Sequence, residues 1–183
     1  MRDPKDRTSV FIALVLRHNP EAANLTLDKH GWADVRALVR GVRQAQGISF
    51  DIEALREIVA NDEKGRYRFS DDGMRIRANQ GHSVAVDVEL TAQIPPPILF
   101  HGTARKFAQS IKADGLLPQN RLYVHLSEDL ETALSVGARH GAPVVFQIDA
   151  AAMGEAGHIF YRSENGVWLC KGVPARYLSF VHP

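Results

Sequence analysis

Three consecutive prolines near the middle of the chain constrain its fold more than any other feature. They stand in Ile94-Pro95-Pro96-Pro97, and such a run continues neither a helix nor a central strand, because proline lacks a backbone N–H. The residue pattern is mostly helical before this run and mostly strand-like after it. The sequence therefore predicts two domains, residues 1–92 and residues 93–183.

The segment before the prolines predicts three helices and a β-hairpin. Thr8 or Ser9 is predicted to cap a helix over residues 10–17. Asp34 is predicted to cap a second helix over residues 35–46, and Asp51 a third over residues 52–61. Residues 66–69 and 74–78 alternate on either side of an Asp-Gly turn, which is typical of a hairpin. Three helices followed by a hairpin predict a winged-helix arrangement.

The segment after the prolines predicts short strands separated by helices. The strands are residues 98–101, 122–126, 144–148, 159–161 and 167–170, and the helices are residues 104–113 and 130–140. This alternation, with many turns, predicts a mixed α+β fold.

The composition predicts a cytoplasmic protein. Hydrophobic residues make up 45% of the chain and charged residues 23%, as in globular proteins. No apolar run reaches the roughly 18 residues of a membrane span, and the charged N-terminus lacks the apolar stretch of a signal peptide. The single cysteine, Cys170, rules out an internal disulfide and is expected to be buried. The eight scattered histidines predict no metal site.

Separate clusters of arginine and histidine predict a site for phosphate groups. The net charge is only +1, which argues against a long nonspecific DNA-binding surface. Most of the 22 basic residues are arginines, whose planar guanidinium recognises phosphate oxygens at two points. The clusters lie at residues 17–18, 75–83, 101–103 and 121–127.

The first cluster, Arg17-His18, ends an apolar helical segment before a stop at Pro20. We expect Leu14 and Leu16 to lie on the buried face of that helix. The pair could cap the helix C-terminus or present a cation and an imidazole to a ligand.

Two further clusters follow predicted strands. His101-Gly102-Thr103 is expected to form a turn at the end of one strand, and His125 with Ser127 ends another. Strand ends that face one cleft are common ligand sites. The same residues could equally satisfy local hydrogen bonds in turns.

Six motifs, in order along the chain, carry a resemblance to one enzyme family. They are Leu14-Val15-Leu16-Arg17-His18, Leu25-Thr26-Leu27-Asp28-Lys29-His30-Gly31-Trp32, Ile76-Arg77-Ala78-Asn79-Gln80-Gly81-His82-Ser83, Leu99-Phe100-His101-Gly102-Thr103, Val124-His125-Leu126-Ser127 and Ser163-Glu164-Asn165-Gly166-Val167-Trp168-Leu169. Gly137-Ala138-Arg139-His140-Gly141 fits as well. With these motifs the chain resembles the NAD-dependent RNA 2′-phosphotransferases, which remove the splice-junction 2′-phosphate from tRNA.

The resemblance implies an N-terminal winged-helix lobe that binds the RNA phosphate and a C-terminal ADP-ribosyltransferase-like lobe that binds NAD as co-substrate. It implies that the RNA 2′-phosphate attacks C1″ of the nicotinamide ribose, which releases nicotinamide and leaves an ADP-ribosylated RNA 2′-phosphate. The 2″-hydroxyl then attacks that phosphate, giving 2′-hydroxyl RNA and ADP-ribose 1″,2″-cyclic phosphate. A tRNA-like substrate, a monomer and no membrane partner are expected.

The resemblance also implies roles for individual residues. The residues implied in catalysis, all of them cations or imidazoles, are Arg17, His18, Arg66 and Arg121. Those implied in NAD binding are His101, Gly102, Thr103, His125, Ser127, Ser163, Asn165 and Gly166. Those implied in contacts with the substrate phosphate are Gln80, Gly81, His82, Arg139 and His140.

Two positions leave alternatives open. Arg68 lies two residues from Arg66, so strand alternation puts both on the same face and does not separate them. Many relatives have histidine where this chain has Tyr123, which donates a hydrogen bond but cannot become a cation.

Two other functions compete with the 2′-phosphotransferase. An ADP-ribosyltransferase acting on terminal phosphates of RNA or DNA would use the same pocket and stop after the first step. A noncatalytic winged-helix module would bind RNA without chemistry, but the first domain shows no clear basic stripe in its sequence.

Overall fold

The computed structural model describes the backbone of residues 4–181 and the side chains from residue 7 onward. Helices and small antiparallel sheets are mixed, which confirms the predicted α+β class. The chain forms two compact units that meet in sequence between Glu89 and Leu90. Each unit is described by itself below.

The described residues of the first unit form three α-helices, and two of these start where the sequence predicts. The helices are α1 (Pro4–Arg17), α2 (Val35–Gln46) and α3 (Ile52–Ala60). The carboxylate of Asp34 accepts from the Ala37 N–H at 2.7 Å, and that of Asp51 accepts from the Ala54 N–H at 2.8 Å. Both predicted caps are thus confirmed.

The predicted caps of the first helix are wrong. Thr8 and Ser9 lie inside α1, which begins at Pro4, a residue that the first turn of a helix tolerates. Their hydroxyls serve tertiary contacts instead. Thr8 Oγ1 donates to Gln46 Oε1 at 3.1 Å, and Ser9 Oγ accepts from Arg66 Nη2 at 3.3 Å.

The predicted hairpin is confirmed, and a third short strand pairs with it to form a sheet. The sheet has the order β1-β3-β2, with strands β1 (Ala33–Asp34), β2 (Tyr67–Phe69) and β3 (Arg75–Ala78). Arg68 pairs directly with Arg77 across β2 and β3. Strand β1 has only two residues, too few for any alternation to be visible in the sequence.

The apolar faces of the helices and the hairpin form one core. Its fully buried large side chains are Ile12, Leu16, Leu38, Leu55 and Ile76. Burying each contributes about 1.5–3 kcal/mol. Leu14 was expected beside Leu16 but is 40% exposed, because two positions along a helix differ by roughly 200° in direction.

The described residues of the second unit form two antiparallel sheets and three α-helices. Its strands are β4 (Ala92–Gln93), β5 (Ile98–Ala104), β6 (Val124–Leu126), β7 (Pro143–Asp149), β8 (Phe160–Arg162), β9 (Trp168–Cys170) and β10 (Leu178–Val181). The sheet orders are β10-β7-β5 and β4-β8-β9-β6. The helices are α4 (Ala108–Asp114), α5 (Leu130–Ala138) and α6 (Ala150–Glu155). Cys170 is buried, as predicted, and burial raises the pKa of its thiol to about 11.

The turn predicted at His101-Gly102-Thr103 is wrong, because all three residues lie within β5. This strand pairs with β7 along its whole length, from Ile98 opposite Asp149 to Ala104 opposite Pro143. A Cβ on Gly102 would lie 1.6 Å from the carbonyl oxygen of Ala133, so only glycine lets α5 pack this closely. The predicted helix over residues 104–113 accordingly starts later, at Ala108.

Candidate active site

The first unit holds Arg17 and His18 at the end of α1. The carbonyl oxygen of Arg17 accepts from the backbone N–H of Ser83 at 2.9 Å and of Val84 at 3.3 Å. The last carbonyls of a helix have no partner within the helix, so residues 83–84 supply one here. The main chain at Arg17 is therefore hydrogen-bonded to residues 83–84, which lie far away in sequence.

The same segment holds both side chains of the pair. His18 Nδ1 lies 3.0 Å from Ser83 Oγ, a hydrogen bond that fixes the plane of the exposed imidazole. Gly81 lies against the Arg17 guanidinium, since a Cβ built on it would be 3.6 Å from Arg17 Cζ. Gly81 also has a φ of +89°, a conformation that favours glycine. Residues 81–84, called here the clamp segment, thus touch the pair at its backbone, guanidinium and imidazole.

His82 lies inside the first unit, where it is 2% exposed. Burial, together with the charges of the neighbouring Arg17, His18 and Arg77, lowers the pKa of His82 to about 4. This imidazole is therefore neutral at physiological pH. Of the predicted phosphate contacts in this region, Gln80 is partly exposed, whereas Gly81 and His82 are buried.

Arg66 and Arg68 have different surroundings. Arg66 Nε donates to Asp62 Oδ1 at 2.8 Å, and the Asp62 side chain is only 2% exposed. The guanidinium of Arg68 instead lies over the ring of Trp32, with 5.3 Å from Cζ to the ring centroid. A buried carboxylate and Ser9 on α1 thus hold Arg66 in place, and its assignment to catalysis stays a prediction.

The second unit contains a cavity of about 660 Å³. The predicted site residues that line it are His101, Gly102, Thr103, Arg121, His125 and His140. Tyr123 lines it as well, with its ring 5.6 Å from that of Tyr161 in an edge-to-face arrangement. The volume lies within the roughly 300–1,000 Å³ typical of small-molecule and cofactor sites.

His101 is held as a neutral hydrogen-bonding group in this cavity. Its Nδ1 lies 3.0 Å from the carbonyl oxygen of His125, and because a carbonyl only accepts, Nδ1 carries the proton. Burial lowers the pKa of His101, the bond to His125 raises it, and the charge of Arg121 lowers it. The neutral ring therefore has Nε2 as an acceptor.

Arg121 is the cation of the cavity. Its backbone N–H donates to the Pro118 carbonyl at 3.0 Å, within the loop that joins α4 to β6. Partial burial lowers the pKa of Arg121 below its ordinary value, although a guanidinium stays charged at neutral pH. Among the described residues that line the cavity, Arg121 thus adds a cation to the hydrogen-bonding groups of β5 and β6.

The remaining predicted residues lie outside the cavity lining. Ser127 follows β6 and exchanges two backbone hydrogen bonds with Phe100. Ser163, Asn165 and Gly166 form the turn between β8 and β9, where Ser163 Oγ lies 2.8 Å from Asn165 Oδ1 and accepts from the Val167 N–H at 3.0 Å. Arg139 follows α5 and is exposed.

Most of the cavity lining, including three residues near α4, was not predicted from the sequence. Phe107, Asp114 and Asn120 belong to α4 and the turns around it. No sequence motif marks them, and the half-exposure of the Phe107 ring is visible only in the structure. In the part of the chain that the structure describes, no group of acidic, histidine or cysteine side chains could hold a metal ion. No described helix is long and apolar enough to cross a bilayer.

Comparison with known proteins decides the family. The family model described as RNA 2'-phosphotransferase, Tpt1 / KptA family, matches residues 3–172. The chain belongs to this RNA 2′-phosphotransferase family. The resemblance seen in its motifs is thereby confirmed.

Bacterial relatives of this RNA 2′-phosphotransferase family member cover nearly its whole length. A probable RNA 2′-phosphotransferase of Hahella chejuensis is 51% identical over 173 residues, 94% of this chain and 92% of the relative. One from Acaryochloris marina is 48% identical, covering 92% and 93% of the two chains. One from Streptomyces coelicolor is 49% identical, covering 97% and 96%.

Proposed function

We propose that this family member transfers the internal 2′-phosphate of an RNA to NAD and leaves a 2′-hydroxyl on the RNA. The observation that carries the proposal is the clamp segment, which touches Arg17 and His18 at three places. Phosphoryl transfer passes through a crowded anionic transition state. Donors that are already fixed stabilise such charge without reorganising during the reaction.

The arginines of the first unit suit the transferred phosphate. Arg17 has its guanidinium packed on Gly81, and Arg66 is anchored by the buried Asp62. A guanidinium has a planar set of N–H donors that matches phosphate oxygens at two points. We assign both residues to the charge that builds up on those oxygens.

His18 suits the hydroxyl that attacks the phosphate. The bond from Nδ1 to Ser83 orients its ring, and an imidazole can hold or accept a hydroxyl proton near neutral pH. General acid–base assistance of this kind contributes typically about 10²–10⁴-fold in rate. We therefore assign to His18 the ribose hydroxyl of the second step.

The size of the cavity in the second unit, about 660 Å³, supports NAD as the co-substrate. NAD, when bound, supplies the ADP-ribosyl group that accepts the phosphate, with nicotinamide as the leaving group. The neutral His101 would accept from a ribose hydroxyl through Nε2, and Thr103 adds a hydroxyl nearby on β5. We assign the Arg121 guanidinium to the anionic charge that develops in the second step.

We also propose the domain types that the family resemblance implies. Three helices followed by a small antiparallel sheet support a winged-helix lobe in the first unit. Two antiparallel sheets beside a ligand-sized cavity support an ADP-ribosyltransferase-like lobe in the second. RNA would meet the first through its 2′-phosphate, and NAD would enter the second.

A single-turnover assay tests the proposal. Wild-type protein, Arg17→Ala and Arg121→Ala are each mixed with NAD and a short RNA that carries one internal 2′-phosphate. We expect 2′-hydroxyl RNA from wild type and an accumulation of ADP-ribosylated RNA from the variants. The accumulation follows because both arginines are assigned to the step that removes the phosphate.

Two outcomes would contradict the proposal. Wild type that itself stops at ADP-ribosylated RNA would indicate an ADP-ribosyltransferase instead. Unchanged RNA and unchanged NAD would indicate a module that binds RNA without chemistry.

A further inference from the structure

Helix α2 has a basic face that the proposed chemistry does not use. Arg36, Arg40 and Arg43 are all exposed, and the helix contains no acidic residue. Their spacing of four and three residues places them within about 60° of one another around a helix of 3.6 residues per turn. Although the sequence of the first domain shows no continuous basic stripe, the helix thus gathers positive charge on one narrow face, called here the basic face of α2.

The basic face of α2 borders a concavity of about 390 Å³, which the start of α3 completes. Two carboxylates also line it, and each has another partner. Asp51 caps α3 by accepting from the Ala54 N–H at 2.8 Å, and Glu53 pairs with Arg56 at 3.1 Å. Neither carboxylate forms an ion pair with the basic face among the described residues.

Two of the three arginines have no partner among the side chains that the structure describes. Arg43 Nε donates to the carbonyl oxygen of Phe50, so Arg43 also supports the chain between α2 and α3. Arg36 and Arg40 form no hydrogen bond or ion pair within residues 7–181. Exposed arginines that form no ion pair with the carboxylates of their own concavity are suited to an external anion.

We propose that the basic face of α2 binds the phosphate backbone of an RNA strand, apart from the 2′-phosphate that reacts. The three arginines extend about 10 Å along the helix axis at 1.5 Å per residue, a length over which a nucleic-acid strand carries more than one phosphate. Backbone contacts of this kind position an RNA without reading its sequence. The inference deepens the proposed function, because it takes the polyanion to be the RNA substrate.

The salt dependence of RNA binding tests this proposal under conditions in which no reaction occurs. The probe is a fluorescein-labelled single-stranded RNA that has no 2′-phosphate, and its anisotropy is measured without NAD over a range of KCl concentrations. The proteins are wild type, Arg40→Gln and the double variant R36Q/R40Q, with Arg43 left unchanged because of its bond to Phe50. Arg105→Gln is the matched control, since Arg105 is an exposed arginine of the second unit that lines neither cavity.

The expected result is a smaller salt dependence in the α2 variants. Each lost phosphate contact lowers the slope of log K against log salt by about 0.7 for a single strand, or about 1.4 for the double variant. Arg105→Gln should keep the wild-type slope, and equal melting temperatures would show that all variants fold. A double variant with the wild-type slope and affinity would overturn the inference.

The RNA-binding role of α2 and the proposed reaction can each be refuted without the other. Failure of wild type to consume NAD and 2′-phosphorylated RNA would refute the chemistry, whatever the RNA-binding slopes are. An unchanged slope in R36Q/R40Q would refute the RNA-binding role of α2, even for an enzyme that turns over its substrate.

Discussion

His18 Nδ1 lies 3.0 Å from Ser83 Oγ, across 65 residues of sequence. The same serine donates its backbone N–H to the carbonyl oxygen of Arg17 at 2.9 Å. One residue therefore fixes both the end of α1 and the imidazole that follows it. Ser83 is exposed, so its hydroxyl contributes through orientation of the ring more than through burial.

Ser83→Ala should slow the second step of the proposed reaction. The lost hydrogen bond is worth about 0.5–1.5 kcal/mol, which corresponds to a rate decrease of about two- to tenfold. The measurement is the single-turnover rate, together with the NMR chemical shifts of the His18 ring, which report its hydrogen bonding. Ser83→Thr keeps the hydroxyl and should stay close to wild type. Unchanged His18 shifts in Ser83→Ala would contradict this prediction.

Gly81→Ala should reduce activity, and Gly73→Ala should not. Both glycines have positive φ, +89° and +68°, so each alanine strains the backbone and costs about 1 kcal/mol of unfolding free energy. Only at Gly81 does the new methyl group meet a neighbour, at 3.6 Å from Arg17 Cζ, whereas Gly73 faces open space. Urea unfolding and single-turnover rates would separate the two effects. Equal activity losses in both variants would argue against a specific role for the clamp segment.

Arg66→Ala should slow the second step of the proposed reaction far more than Arg68→Ala does. Arg66 is anchored by the buried Asp62, and loss of one transition-state donor costs typically about 10²–10³-fold in rate. Arg68 packs on Trp32 and should affect the rate only a few-fold. The measurement is the rate at which ADP-ribosylated RNA disappears in each variant. The reverse ranking would assign the catalytic role to Arg68.

Acid should destabilise the first unit through His82. Below the ordinary histidine pKa of 6.5 the unfolded chain binds a proton at His82, whereas the folded chain binds one only near its pKa of about 4. Stability is therefore fully present above about pH 6.5 and falls as the pH drops toward 4, by about 2 kcal/mol at pH 5.

Urea unfolding at pH 7.5 and pH 5 measures the effect of His82. His82→Asn should lose less stability between the two pH values than wild type does. His140→Asn replaces an exposed histidine and serves as the control. An acid sensitivity equal to that of wild type in His82→Asn would show that another group is responsible.

Some structural elements were predictable from short runs of neighbouring residues alone. Asp34 and Asp51 stand one residue before α2 and α3, and an N-cap acts within three residues of itself, so the starts of both helices were predictable. The Asp-Gly turn likewise determined the hairpin of β2 and β3. The family was also readable, because its motifs are short runs of neighbouring residues.

Which residues from distant parts of the sequence contact these elements depends on the tertiary fold. Thr8 and Ser9 resemble caps in sequence, but their hydroxyls bond to Gln46 and Arg66 instead. The backbone of β5 continues through Gly102 because α5 packs against it, and Arg66 differs from Arg68 through Asp62 and Trp32. The contact of Ser83 with His18 has no signal in either motif. Such choices depend on packing between segments far apart in the chain, and local propensity contains no information about those partners.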